Sequence, residues 1–90
     1  MGSLREAALD GRRMTERAEA AAYLRGVLPL PEWWGGNLDA LYDALTDLRD
    51  FRIVLTRREA MESAGFGRRL LAVFRDAATE NPGLVFIEKA

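Results

Sequence analysis

The sequence contains no cysteine and no histidine, and its only lysine is Lys89. Without cysteine it can form neither disulfide bonds nor thiolate-bound metal sites. Without histidine it lacks the commonest general base and the commonest metal ligand of proteins. Carboxylates alone could still hold a hard cation, but we expect no metal centre and no cofactor. No apolar run approaches the roughly 20 residues that a membrane-spanning helix needs, so we expect no membrane insertion.

The length of 90 residues predicts a single domain that spans residues 1–90. A content of 49% hydrophobic and 30% charged residues is typical of a soluble globular protein. Residues 1–6 contain no apolar signal-peptide core, so we expect a cytoplasmic protein. The first residues, Met1-Gly2-Ser3, are compatible both with a native start and with an added tag.

Strand and helix patterns alternate along the chain, which favours an α/β fold. Short apolar runs predict strands at residues 4–9, 51–56 and 84–87. Periodicity and capping residues predict a helix between Thr15 and Pro31, one after Asn37, a short helical turn at 57–64 and one from Arg68 to Glu80. We therefore expect a two-layer fold in which about four helices pack on a three-stranded parallel sheet with right-handed crossovers.

Several boundaries depend on single residues. Thr15 is expected to cap the first helix, which turns a mostly apolar stripe inward. The stripe consists of Ala18, Ala21, Ala22, Arg25 and Leu28. Gly65-Phe66-Gly67 is expected to interrupt helical structure before Arg68, and Asn81-Pro82-Gly83 is expected to end the last helix.

The segment from Glu32 to Asp50 is strongly acidic. It contains five acids and one base, Arg49, so its formal charge is −4, whereas the whole chain carries −1 and the remaining residues therefore carry +3. Within it, Asp39, Asp43 and Asp47 recur every four residues and form what we call the aspartate row, on one face of the second helix. Like charges at this spacing destabilise a helix by roughly 0.2–0.5 kcal/mol per pair, and no basic residue interrupts the row.

Two interpretations of the aspartate row stay open. The row is either a solvated face, where Arg49, Arg52 and Arg75 could reach back to pair with some of its acids, or a surface selected to meet a basic partner. The aromatic residues nearby favour the second interpretation, because aromatic side chains beside desolvated charges are typical of interface hot spots.

Aromatic residues are concentrated in the same part of the chain. Both tryptophans, Trp33 and Trp34, and one of the two tyrosines, Tyr42, lie between residues 30 and 45. We expect one tryptophan to fill the core against the first helix, because two buried tryptophans are excessive for so small a domain. Tyr42 lies off the leucine stripe of its helix and is expected at the edge of the acidic face.

The residues Gly35, Gly36 and Asn37 join the tryptophans to the second helix. The two glycines predict a flexible or left-handed turn. They are either a simple turn or a place where missing side chains let a partner approach the backbone. Asn37 predicts the N-cap of the helix, with partner contact as a secondary role.

Residues 30–45, Leu-Pro-Glu-Trp-Trp-Gly-Gly-Asn-Leu-Asp-Ala-Leu-Tyr-Asp-Ala-Leu, resemble the signature of the barstar family of ribonuclease inhibitors. A second match is Val73-Phe74-Arg75-Asp76-Ala77, and the order of elements agrees along nearly the whole chain. The resemblance implies an intracellular protein that blocks a small, secreted, guanyl-specific microbial ribonuclease in a one-to-one complex. Such an inhibitor gives the producing cell immunity to its own toxin.

The family uses its second helix and the preceding loop as the inhibitory surface. The resemblance implies that this chain contacts the enzyme through residues that we call the predicted contact surface: Trp33, Gly35, Asn37, Asp39, Tyr42, Asp43 and Asp76. It also implies electrostatic mimicry, in which Asp43, flanked by Asp39, places a carboxylate where a substrate phosphate binds. Asp76 is expected at the rim, where acidic charge speeds encounter.

The chain departs from the family pattern at several of these positions. The best-known member has tyrosines at the positions of Trp33 and Trp34 and a tryptophan at that of Tyr42. It has an acid where this chain has Gly36, and a glutamate where this chain has Asp76. These departures thin the acidic rim and reshape the aromatic contacts, so the preferred ribonuclease does not follow from the resemblance.

Other functions fit the residues less well. Asp39 and Asp43 are paired carboxylates, which can perform acid–base chemistry. An exposed helix face lacks the enclosing pocket that would separate their pKa values, so we expect that this protein is not an enzyme. Nucleic-acid binding is disfavoured because an acidic surface repels phosphates, and we expect Arg57-Arg58 and Arg68-Arg69 on solvated faces. The alternative is a non-catalytic binding module, or antitoxin, for a different basic partner protein.

Overall fold

A computed structural model describes residues 4–90, and Met1-Gly2-Ser3 lie outside the described residues. Three parallel strands form one sheet in the order β1 (Arg5–Asp10), β2 (Phe51–Thr56) and β3 (Leu84–Glu88). The helices are α1 (Arg17–Val27), α2 (Leu38–Thr46), α3 (Arg58–Glu62) and α4 (Gly65–Glu80). The predicted α/β fold, with a three-stranded parallel sheet and about four helices, is confirmed.

Side chains alternate across the sheet, so that one face is buried and the other meets solvent. Ile53 lies in register between Ala7 and Phe86 and is fully buried beneath the helices. The next residue on β2, Val54, is half-buried, and its neighbour Ala8 on β1 is exposed. The helices therefore cover one face only, which makes the fold two-layered.

Helix α1 begins later, and turns a different face inward, than the sequence predicted. Its N-cap is Glu16 rather than Thr15, and no side chain caps it. The buried residues are Ala20, Ala21 and Leu24, together with Leu28 just after the helix, so the prediction of Ala18, Ala22 and Arg25 as inward residues was wrong.

Met14 explains the shifted face of α1. A 3-10 turn at Gly11–Arg13 follows β1, and the Asp10 carboxylate accepts a hydrogen bond from the Arg12 backbone N–H there. The turn delivers Met14 into the core, where it is fully buried. Met14 and Leu24 have far more apolar surface to bury than any alanine, so they set the rotation of the helix.

Helix α4 begins at Gly65, so the predicted interruption at Gly65-Phe66-Gly67 was wrong. Gly67 lies inside the first turn of α4, and its lack of a side chain is explained by the backbone of α3, which approaches it closely. A Cβ atom built on Gly67 would lie 2.7 Å from the Met61 carbonyl oxygen. The glycine therefore allows α3 to pack directly on α4, a role that helix propensity does not reveal.

Asn81 joins the end of α4 to the end of α2. It is 4% exposed, and its Nδ2 atom donates to the carbonyl oxygens of Leu45 at 3.0 Å and Leu48 at 2.8 Å. Its Oδ1 atom accepts from the Gly83 backbone N–H at 2.9 Å. Because these carbonyls lie in the last turn of α2 and just after it, where helical donors run out, Asn81 adds a cap to α2 from outside the helix.

Glu88 at the end of β3 is the centre of a small ion network. Arg75 of α4 donates two hydrogen bonds to its carboxylate, at 2.8 and 2.7 Å. Arg58, which was expected on a solvated face, is half-buried and lies 3.7 Å from the same carboxylate. The hydrogen bonds from Arg75 hold the pKa of Glu88 below its usual value, although partial burial of the carboxylate opposes this.

Within residues 4–90, no helix combines the length and the apolar character needed to cross a lipid bilayer.

Replacement of Asn81 by alanine is expected to lower the free energy of unfolding by about 1–3 kcal/mol, because the carbonyls of Leu45 and Leu48 lose this donor. Urea unfolding followed by circular dichroism measures the change. The control is Ser63→Ala, which removes a hydroxyl on an exposed residue that bonds the Glu59 carbonyl of its own helix. Equal effects of the two substitutions would contradict the capping role of Asn81.

Replacement of Arg75 by glutamine is expected to destabilise the protein at pH 7 by about 1 kcal/mol or less, since the ion network is partly exposed. The folded-state pKa of Glu88 is lowered, so its contribution is present above the unfolded pKa and is lost as the pH falls through the folded pKa. The difference between wild type and variant should therefore shrink below about pH 4. Unfolding curves at pH 7 and pH 3 test this, and a difference that stays constant would refute it.

Candidate functional site

The loop that connects α1 to α2 is held in place by Trp34. The Trp34 side chain is 1% exposed, and its Nε1 atom donates to the carbonyl oxygen of Asn37 at 2.8 Å. Its backbone N–H donates to the Pro31 carbonyl at 3.1 Å, which closes the turn before it. Trp33, by contrast, is 77% exposed. The prediction that one tryptophan fills the core is confirmed, and the buried one is Trp34.

Two arginines of α1 support the same loop from below. The Arg25 guanidinium donates to the carbonyl oxygen of Trp34. The Arg17 side chain lies under Gly36, so closely that a Cβ atom built on Gly36 would be 2.5 Å from the Arg17 Cγ atom. Gly36 also has a φ angle of +104°, which residues with a Cβ rarely adopt.

Gly35 differs from Gly36 in its exposure, its φ angle and the space around it. It is exposed, its φ angle is not positive, and a Cβ built on it would meet no atom within 4 Å. The predicted left-handed turn therefore resides in Gly36 alone. Packing does not require a glycine at position 35, where the backbone is open to solvent.

Helix α2 begins as the sequence predicted. The Oδ1 atom of Asn37 accepts a hydrogen bond from the Ala40 backbone N–H at 3.0 Å, so Asn37 is the N-cap. Asp39 lies in the first turn, where a negative charge is favoured by the helix dipole. Leu41 and Leu45 are buried beneath the helix, which fixes the aspartate row on the solvent side.

The aspartate row has no ion pair among residues 4–90. The three arginines that could have neutralised it bind elsewhere. Arg75 pairs with Glu88 at 2.7 Å, Arg52 lies 3.7 Å from Glu6, and Arg49 donates to the Leu48 carbonyl at 3.1 Å. The suggestion that these arginines pair with the row was therefore wrong for residues 4–90, whereas both a solvated face and a surface for a basic partner stay compatible with its exposure.

Asp76 lies beside α2 across a shallow depression. Tyr42 of α2 and Asp76, Thr79 and Glu80 of α4 line this depression, which has a volume of about 310 Å³. Asp76 is exposed and Tyr42 is half-buried. The depression therefore brings Asp76 of α4 together with Tyr42 of α2, as the predicted contact surface requires. Glu80 was not predicted there, although its position one helical turn after Asp76 was a signal that could have found it.

The predicted contact surface is accessible throughout. Its members lie on the loop, on the outer face of α2 and on the neighbouring face of α4, and only Tyr42 is partly covered. Within residues 4–90, no three acidic side chains are grouped so as to hold a metal ion. An open surface with unpaired carboxylates and one exposed tryptophan is suited to binding a basic protein face.

A protein-family model described as "Barstar (barnase inhibitor)" matches residues 4–87, which is nearly the whole chain. Members of that family bind guanyl-specific ribonucleases and inhibit them.

The two tryptophans should respond differently to truncation. Trp34→Ala is expected to lower the free energy of unfolding by about 3–5 kcal/mol, because it empties a filled core site. Trp33→Ala should change it by less than about 0.5 kcal/mol, as is usual at exposed positions. Urea unfolding measures both. Acrylamide quenching of Trp33→Phe and Trp34→Phe checks the assignment, since only the variant that retains Trp33 should be strongly quenched.

Proposed function

The chain belongs to the barstar family, and from this premise we propose that it inhibits a secreted microbial guanyl-specific ribonuclease. It forms a one-to-one complex in which the predicted contact surface covers the basic active site of the enzyme. The inhibitor acts in the cytoplasm of the producing cell and gives that cell immunity to its own toxin. It is not an enzyme itself.

The unpaired carboxylates of α2 are the observation that carries this proposal. Asp39 and Asp43 are exposed and have no ion-pair partner among residues 4–90. A ribonuclease active site is a basic cleft that holds the phosphate of RNA. Asp43 enters this cleft, and its two oxygens accept bidentate hydrogen bonds from arginine in place of phosphate oxygens. Asp39, one turn earlier, adds charge beside it.

Aromatic contacts surround the central charges. Trp33 is 77% exposed, and burial of a tryptophan against an enzyme removes about 150–250 Å² from water. Tyr42 contributes a smaller, half-buried ring on the side of α4. Gly35 and Asn37 bring the loop backbone close to the enzyme. Together these residues exclude water from the charged centre, which strengthens the ion pairs.

The acids of α4 extend the surface to a rim. Asp76 lies across the shallow depression from Tyr42, with Glu80 beside it. Exposed charges at a rim contribute little to the final affinity but accelerate the encounter of oppositely charged proteins. The acidic rim therefore steers the basic enzyme toward α2, and its effect decreases with ionic strength.

Catalysis by the carboxylate pair is disfavoured by its position. Asp39 and Asp43 stand on an open helix face, whereas acid–base catalysis by two carboxylates uses an enclosed site in which the two environments differ.

Titration of the protein into barnase and other guanyl-specific ribonucleases, while RNA cleavage is followed, tests the proposal. We expect stoichiometric inhibition of at least one enzyme. Asp43→Ala should raise the Kd about a hundred- to a thousandfold, because it leaves basic groups of the enzyme buried without a partner. Asp47→Ala is the matched control, since it removes the same charge from the aspartate row outside the predicted contact surface and should change the Kd by less than about threefold.

Two results would overturn the proposal. The first is an absence of inhibition across the ribonuclease panel, which would direct attention to a different basic partner protein. The second is an equal effect of Asp43→Ala and Asp47→Ala on the Kd, which would indicate general charge attraction instead of occupation of a phosphate site.

A further inference from the structure

Two arginines share one aromatic ring beside the predicted contact surface. The Arg17 guanidinium of α1 lies 5.2 Å from the centre of the Phe66 ring, and that of Arg69 of α4 lies 6.0 Å from it. Phe66 is 8% exposed and both arginines are exposed. We call Arg17 and Arg69 the double-arginine edge.

The double-arginine edge carries positive charge that the protein does not neutralise. Among residues 4–90, neither Arg17 nor Arg69 forms a salt bridge. Five of the other ten arginines are paired within the described residues: Arg12 with Asp10, Arg13 with Glu19, Arg52 with Glu6, Arg58 with Glu88, and Arg75 with Glu62 and Glu88. Two like charges on one ring repel each other, and no acid of the described chain pairs with either to offset this.

The edge touches the loop of the predicted contact surface through Arg17, and Arg69 lies on the same helix as the surface residue Asp76. The Arg17 stem touches Gly36, which lies between the surface residues Gly35 and Asn37. Arg69 lies two helical turns before Asp76 on the same face of α4, a separation of about 10 Å along the helix axis. A partner that covers the loop and α2 will therefore also reach the double-arginine edge.

Carboxylate is the ligand that suits these two groups. Among residues 4–90, neither guanidinium donates a side-chain hydrogen bond, so the N–H donors of both are free, and the planar fork of a guanidinium matches the two oxygens of a carboxylate. Phosphate has suitable oxygens too. A nucleic acid, however, would bring many phosphates alongside a segment of formal charge −4, from Glu32 to Asp50, whereas a protein can present a single acid.

We propose that Arg17 and Arg69 bind a carboxylate side chain that the target ribonuclease carries at the border of its basic cleft. This inference rests on the proposed function, and it makes the double-arginine edge a determinant of specificity. A ribonuclease with an acid at the matching position gains charge-assisted hydrogen bonds, and one with a base there is repelled.

The sign of the effect of removing positive charge tests this inference. The partner's cleft is basic, so general electrostatics predicts that loss of an arginine strengthens binding slightly. We expect the opposite for Arg17→Gln and Arg69→Gln, which should each raise the Kd about tenfold through faster dissociation. Arg68→Gln is the matched control, because it removes the same charge from the adjacent residue of α4, which is exposed and stacks on no ring of the described chain.

The test uses the full chain and barnase together with the other ribonucleases that the wild type inhibits. Glutamine at position 17 keeps a Cγ atom beneath Gly36, and urea unfolding verifies that each variant is folded. For the enzyme most affected, a double-mutant cycle pairs Arg17→Gln and Arg69→Gln with Glu→Gln and Asp→Asn substitutions at the border of its cleft. Coupling with one enzyme carboxylate is the expected result.

The outcomes distinguish this inference from the proposed function. Suppose that Asp43→Ala weakens inhibition while Arg17→Gln and Arg69→Gln behave like Arg68→Gln. The proposed function then stands and the carboxylate site is overturned. The carboxylate site is also overturned if no enzyme carboxylate shows coupling energy with Arg17 or Arg69 in the double-mutant cycle. It is overturned as well if the free protein binds a short RNA oligonucleotide through Arg17 and Arg69. A wild-type chain that inhibits no ribonuclease overturns both.

Discussion

The buried indole of Trp34 is the contact on which the geometry of the candidate site depends. It fixes one side chain of the loop in the core and donates to the carbonyl of Asn37, the residue that also caps α2. The loop and the first turn of the helix are therefore held as one unit. Its neighbour in the same turn, Trp33, is 77% exposed, so one tryptophan anchors the loop while the other stays available at the surface.

The orientation of α2 comes from its two ends and its lower face. Asn37 caps the first turn, Asn81 satisfies the carbonyls at the last, and Leu41 and Leu45 occupy the core. These contacts explain how a short helix tolerates the aspartate row, whose repulsion amounts to roughly 0.2–0.5 kcal/mol per pair. Burial of one leucine contributes about 2 kcal/mol, so packing outweighs the repulsion and leaves the outer face free to serve binding.

Local patterns in the sequence predicted the sheet and α2 correctly. They failed where residues distant in the sequence determine how a helix is rotated or which side chains meet. The strand β2 was predicted at its observed bounds, because a continuous apolar run needs a buried central strand. The face of α1 was mispredicted because alanines bury too little area to fix a helix rotation, and Met14 did so from a preceding turn. Likewise, the approach of Asp76 to Tyr42 and of Arg17 to Gly36 depends on how helices pack together. No periodicity within one segment encodes such contacts.

At Gly36 the chain departs from the family pattern, and this departure changes the charge beside the predicted contact surface. The best-known family member has an acid at this position, but here the φ angle of +104° disfavours any side chain, and the Arg17 stem, 2.5 Å from a built Cβ atom, would have to shift to admit one. Where that member has an acid, this chain has a buried glycine against the stem of Arg17. This corner therefore lacks the acid, while Asp39 and Asp43 are retained. Under the proposed function, the central carboxylates would serve what ribonuclease active sites share, and this corner would serve what distinguishes one enzyme from another.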